Sequence, residues 1–274
     1  MRAASRESYA EAADQLATFA AGASAETLAT MADEILAVAR LLAVEPRLRR
    51  ALADPGRSGT DRSELFATVF GDSLGPDAAR LLGALVGGRW SAASEMLDGV
   101  ERLGVDALMH SADRAGELGE VEDELFRFGQ IVDGDPQLAA VLGDATADSA
   151  RRGELLHALL DGKANAVTVR LGELALAGFG GRGFAAGLTR LVEMAAAARD
   201  RGVAYVTVAV PLTDADEERL GTKLSELYGR EISLKITVDP DVVGGARVLV
   251  GNDLYDGTIS RRLAEARNAL AGKR

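Results

Sequence analysis

Asp239-Pro240-Asp241-Val242-Val243-Gly244-Gly245-Ala246-Arg247-Val248-Leu249-Val250-Gly251-Asn252-Asp253-Leu254-Tyr255-Asp256-Gly257-Thr258 is the stretch from which the rest of the chain can be read. Two glycines open a short alternating strand, Ala246 to Val250. Gly251-Asn252-Asp253 predicts a tight turn, because Gly and Asn accept positive φ where other side chains clash. Leu254 and Tyr255 return as a second strand. Asp256-Gly257 breaks it, and the Thr258 hydroxyl suits the N-cap of a final helix running to about Leu270. Nothing in this stretch resembles a catalytic constellation; it has the makings of a compact docking module.

The residues just before it complete the module. Val203 to Val210 is β-rich and is closed by Pro211. Thr213 caps a helix whose first turn carries Asp214, Asp216 and Glu217, which suits the positive end of a helix dipole, and Tyr228-Gly229 stops it. Ile232, Leu234, Ile236 and Val238 alternate with polar residues as a half-buried strand. Residues 201–274 therefore read as strand, helix, strand, hairpin, helix.

Everything upstream has helical periodicity, and it repeats. Shifted by about 90 residues, the chain partly matches itself, with no gap needed across the matched region. Glu45-Pro46-Arg47-Leu48 falls on Asp135-Pro136-Gln137-Leu138, Arg62-Ser63-Glu64-Leu65 on Arg152-Gly153-Glu154-Leu155, and Arg80-Leu81 on Arg170-Leu171. Apolar positions agree between these anchors: Leu36 with Phe126, Leu41 with Ile131, Val69 with Leu159. The second copy predicts helices near 105–118, 120–132, 136–142, 147–160, 166–177 and 184–199, and the first near 6–20, 25–43, 47–53, 61–70, 77–86 and 91–103. The last helix of the first copy runs nearly straight into the first of the second around Gly104. The expected fold is mainly α: two tandem six-helix bundles, 1–104 and 105–200, then the α/β module.

Composition narrows the chemistry. The chain has 274 residues, a formal net charge of −11, no cysteine, and only His110 and His157 as histidines. That excludes disulfides, thiolate metal sites and cysteine nucleophiles, and the acidic balance argues against a nucleic-acid or anionic-lipid surface. No apolar run approaches the length of a membrane span, and Met1-Arg2-Ala3-Ala4-Ser5-Arg6-Glu7 lacks an apolar signal core, so a cytoplasmic protein is expected. Sharper motifs fall away on context. Gly178-Phe179-Gly180-Gly181-Arg182-Gly183 has the letters of a dinucleotide turn but follows a predicted helix instead of a strand, and reads as an interhelical turn. No phosphate-binding P-loop occurs, and the scattered Ser, Asp and Glu offer no nucleophile elbow: Gly71-Asp72-Ser73-Leu74-Gly75 has the letters G-x-S-x-G but lies between two predicted helices instead of after a strand. Asp239-x-Asp241 lacks the remaining ligands of a calcium loop. His157 has no second histidine within reach in sequence, and reads as structural or solvated. Trp90 either packs a helix end or anchors a partner. No catalytic, cofactor or metal residue is assigned.

Val242-Val243-Gly244-Gly245, the hairpin, and Asp256-Gly257-Thr258-Ile259-Ser260-Arg261-Arg262-Leu263 together resemble the C-terminal signature of the delta subunit of bacterial F-type ATP synthases, the counterpart of the mitochondrial oligomycin-sensitivity-conferring protein. Thr258 stands where that family usually has Ser, and keeps the capping hydroxyl. The resemblance covers about residues 105–270; the additional copy at 1–104 is similar to the lengthened delta of actinobacteria. What it implies is a non-catalytic peripheral-stalk subunit, one per complex, at the cytoplasmic face of the plasma membrane and attached there only through its partners. Its helical domain would grip the N-terminal helix of an alpha subunit between its first and fifth helices, and its C-terminal module would hold the b subunits. Carried onto this chain, the grip falls on Leu108, Leu171 and Leu174, with Leu16, Leu81 and Leu85 as equivalents in the first copy. The b-subunit dock falls on Gly244, Gly245, Asp256, Gly257 and Arg262. The leucines can equally be core and the glycines turn geometry. A second bundle could capture a second alpha helix, or contact b instead. Read without the tail, the same parts would suit a helical adaptor or anti-sigma-like regulator; an enzyme fits least.

Overall fold

In the computed structural model, residues 1–199, 201–228, 231–240, 242, 244–250 and 253–258 are described. They form two compact units, Met1–Ala195 and Ala196–Arg274. Among them α-helix dominates, and a small four-stranded sheet lies near the C-terminus. No described helix is long and apolar enough to cross a membrane.

The first unit contains α1 (Ala3–Ala20), α2 (Ala25–Val44), α3 (Pro46–Leu52), α4 (Gly59–Phe70), α5 (Pro76–Gly87), α6 (Ala93–Ala115), α7 (Leu118–Gly134), α8 (Pro136–Gly143), α9 (Ser149–Leu160) and α10 (Ala166–Leu176); α11 (Phe184–Ala198) runs to its end. Starts follow from side-chain caps. Ser24 accepts from Thr27 N, Ser58 and Asp61 form a reciprocal capping box, and Asp135, Asp148 and Asn165 accept from the first N–H groups of α8, α9 and α10. Each such cap is worth about 1 kcal/mol. Pro46, Pro76 and Pro136 sit in first turns, where their missing N–H costs nothing.

The two helices expected on either side of Gly104 are one, α6. It is buried nearly all round: Met96, Val100, Leu103, Val105, Leu108, Met109 and Ala112 are all in the core. Gly104 lies mid-helix where α2 crosses, and a Cβ there would stand 2.6 Å from Cδ2 of Leu36. One hydrophobic core runs from Ala12 to Ala195 through both sequence repeats. The chain leaves α6 at Gly116, whose φ of 74° is the left-handed cap a glycine adopts freely.

In the second unit β1 (Arg201–Val208) pairs parallel with β2 (Glu231–Val238) across α12 (Asp214–Tyr228), and antiparallel with β3 (Ala246–Val250), which pairs with β4 (Asp253–Asp256). Sheet order is β2-β1-β3-β4. Ala204, Val206, Val208, Val248 and Val250 line one face and join Leu224 of α12 in a separate small core. The Gly251-Asn252 turn, the final helix and Arg262 lie outside the described residues.

Candidate partner-docking site

The offset seen in the sequence reappears as paired interactions. Glu34 Oε1 accepts from Gly75 N at 3.1 Å, and Glu124 Oε2 from Asn165 N at 2.9 Å, so each carboxylate holds the start of the equivalent helix, α5 or α10. Arg62 and Arg152 are both buried. Arg62 donates to the carbonyls of Val86 (3.2 Å), Gly87 (2.9 Å) and Gly88 (2.7 Å) at the end of α5, and to those of Asp54 (3.2 Å) and Arg57 (2.6 Å). Carbonyls at a helix C-terminus have no partner in the helix, and a guanidinium there satisfies several at once. Arg152 donates through Nη1 alone, to Leu142 O (3.2 Å) and Leu176 O (3.4 Å), and its Nε is buried without a partner.

Leu16, Leu81 and Leu85, the groove residues expected in the first copy, are 0%, 5% and 1% exposed, and Leu108 and Leu171 of the second are fully buried. In the folded chain these five belong to the core. Leu174 differs. It is half-buried on α10 and lines a cavity of about 480 Å³ between α2, α9 and α10. The structure thus brings Leu108 and Leu171 into one core with the first-copy leucines and leaves Leu174 at an opening.

The hairpin residues are held by backbone geometry. Gly244 and Gly245 have φ of 63° and 80°, and a Cβ on Gly245 would stand 2.4 Å from Gly257 O. Gly257 N donates to Ala246 O at 3.0 Å, closing the strand pair. The Asp256 carboxylate accepts from Thr258 N (3.0 Å) and Thr258 Oγ1 (2.6 Å). Gly244, Gly245, Asp256 and Gly257 therefore gather at one end of β3 and β4.

The other sequence motifs resolve into structure. Residues 178–183 form the turn between α10 and α11, with Gly178, Gly180 and Gly181 at positive φ. Trp90 is buried, donates Nε1–H to Leu85 O at 2.9 Å, and lies against Gly99, where a Cβ would come within 2.5 Å of the ring. His157 bridges Asp161 (3.0 Å from Nδ1) and Glu173 (2.7 Å from Nε2); these two hydrogen bonds raise its pKa above the ordinary 6.5.

Compared with families of known proteins, residues 105–270 match the ATP synthase delta (OSCP) subunit family. An ATP synthase subunit delta from Salinispora tropica is 60% identical over 269 residues, covering 98% of each chain. One from Streptomyces avermitilis is 46% identical over 268 residues, again 98% of each chain, and one from Streptomyces coelicolor is 40% identical over 271 residues, 99% of this chain and 98% of its own. This chain belongs to the ATP synthase delta (OSCP) subunit family. The reading as an adaptor or regulator unrelated to the synthase is thereby set aside. The relatives extend over residues 1–104 as well, so the additional helices are shared with them and are not peculiar to this chain.

Sequence reasoning missed two polar contacts in the helical unit. Tyr9 of α1 donates to Asp106 Oδ2 on α6, under the guanidinium of Arg102, which stacks 4.4 Å from the Tyr9 ring centroid. Burial pushes both the Asp106 carboxyl and the Tyr9 phenol up. Arg170 Nε lies 3.0 Å from Asp33 Oδ1, and its Nη2 3.0 Å from Oδ2, a two-point clasp between α10 and α2. Its repeat equivalent, Arg80, pairs instead within its own helix with Asp77 at 2.7 Å. Identity at the shared offset therefore marked these arginines, but not what each one reaches.

Proposed function

We propose that this chain joins the alpha-subunit N-terminal helices of an F-type ATP synthase head to the b-subunit stator and so resists rotor torque. The observation that carries this reading is similarity to synthase delta subunits along the whole chain, the duplicated helices included. Such a role requires no reacting group. It requires apolar seams for amphipathic helices and a framework stiff enough to transmit force. The single core through α1–α11 supports the second requirement. On this reading the helical part is two six-helix units, 1–104 and 105–200, that share α6. One or both hold an alpha helix between their first and fifth helices, and the 201–274 module, through Gly244, Gly245, Asp256, Gly257 and Arg262, holds b. The subunit is present once per complex and sits on the cytoplasmic side of the membrane through its partners.

The test is affinity purification of the tagged full chain from cells making it with its synthase. Alpha and b chains should co-purify in stoichiometric amount, and recovery of neither would refute the role. Calorimetric titration of the full chain with an alpha N-terminal peptide then counts grips. Two peptides per chain would support a second alpha contact, and one would leave the duplicate unit for b.

A further inference from the structure

We propose that the cavity between α2, α9 and α10 is a binding site for a small organic carboxylate with an alkyl body. Its floor is Leu36, Leu174, Leu176 and the buried side chain of Arg152. Its rim is charged. Asp33 and Arg170 neutralise one another in their two-point clasp, and Glu173 is taken by His157. Arg40, exposed on the rim, and Arg152, in the floor, form no ion pair among the described residues, Arg152 feeling only the more distant charge of Asp144, on a chain whose net charge is −11.

The repeat supplies the control. Arg62, the equivalent of Arg152, spends Nε and both Nη groups on five carbonyls. Arg152 holds two carbonyls through Nη1 and leaves Nε unpartnered while 92% of the side chain's residue surface is buried, being 8% exposed. An unsatisfied buried donor on a cation is expensive, and a carboxylate set against the Nε–Nη2 edge, after a small rotation of the guanidinium, relieves it with paired charge-assisted bonds. The apolar floor then takes the alkyl chain.

A volume of about 480 Å³ suits a small ligand. A partner helix fits less well. It needs an apolar stripe several turns long, whereas here Asp33, Arg40, Arg152, Arg170 and Glu173 stand among the lining residues.

The experiment is titration of the full chain with octanoate, followed by calorimetry and amide NMR, with 1-octanol as the neutral control. Octanoate should bind saturably at one site, shift the amides of Arg40, Arg152 and Gly153, and raise the melting temperature; octanol should do none of these. Arg40→Gln, on an exposed position, should weaken binding about fivefold to tenfold. Gly153→Phe should abolish it by filling the cavity from a position where a Cβ meets nothing within 4 Å. Absence of saturable binding, equal binding of octanol, or indifference to both variants would overturn the proposal. So would displacement of octanoate by an acidic amphipathic peptide that binds more tightly, which would assign the cavity to a partner segment. Leu174, shared between the cavity floor and the expected alpha grip, is unchanged in both variants, so co-purification with alpha and b chains tests the stalk role separately.

Discussion

Gly104 of α6 and Leu36 of α2 meet at a point with no space for a methyl group: a Cβ on Gly104 would lie 2.6 Å from Leu36 Cδ2, 2.7 Å from its Cγ and 3.3 Å from Ile35 Cγ2. Glycine in a helix interior ordinarily costs stability relative to alanine. Here the close approach of two helices outweighs propensity. Gly104→Ala is expected to destabilise by about 1–3 kcal/mol through overpacking. Gly129, mid-way along α7 with nothing within 4 Å of its Cβ position, should show the opposite sign, Gly129→Ala stabilising by about 0.5–1 kcal/mol. Urea unfolding of the two variants checks both; a stabilised Gly104→Ala would mean α2 and α6 are less tightly apposed.

The paired arginines give an ordered prediction. Arg62→Ala strips five carbonyls of a donor and should cost about 3 kcal/mol or more, whereas Arg152→Ala strips two and should cost about 1–2 kcal/mol. Equal losses in thermal or urea unfolding would show that their equivalent positions in the repeat, not their different hydrogen bonds, govern stability.

How far these relationships could be read from sequence depends on their range. Element positions followed local rules: the caps at Ser24 and Asp135, the prolines at 46, 76 and 136, and the period-two strand at Ala246–Val250 all act within a few residues. The fusion of two expected helices into α6 was visible as the lack of any breaker stronger than Gly104. The fate of the candidate leucines was not visible, because a groove residue and a core residue obey the same helical spacing. Leu171 and Leu174, three positions apart on α10, end up fully buried and half-buried, a difference set by which neighbouring helices pack on α10 and not by spacing along it. The Asp33–Arg170 clasp joins residues 137 positions apart, which no local pattern reports.

His157 sets a pH dependence. Its hydrogen bonds to Asp161 and Glu173 raise its folded pKa above the unfolded value, so the stability it contributes is fully present below the ordinary 6.5 and fades as pH rises through the raised value. The effect is small, because the side chain is 41% exposed and solvent screens the pair. NMR titration of the imidazole should give a midpoint above 6.5, and His157→Gln should flatten the stability profile over that same window. A midpoint at or below 6.5 would show that the two carboxylates do not hold the ring in solution.

The hairpin offers a way to disturb the second unit alone. Gly245 combines a φ of 80° with a Cβ position 2.4 Å from the Gly257 carbonyl oxygen, so any side chain there both enters a disfavoured backbone region and strikes backbone that cannot rotate aside. Gly245→Ala should cost at least about 2 kcal/mol. The loss should fall on the β3–β4 pair, where Gly257 N reaches Ala246 O, and leave the core of α1–α11 intact. Hydrogen exchange reads the two separately. Amides of Val248 and Val250 should exchange faster in the variant while those of Leu103 and Leu108 in α6 keep their protection. If the α6 amides lose protection in step with the strands, the two units unfold together, and the division at Ala195 and Ala196 does not separate their stabilities.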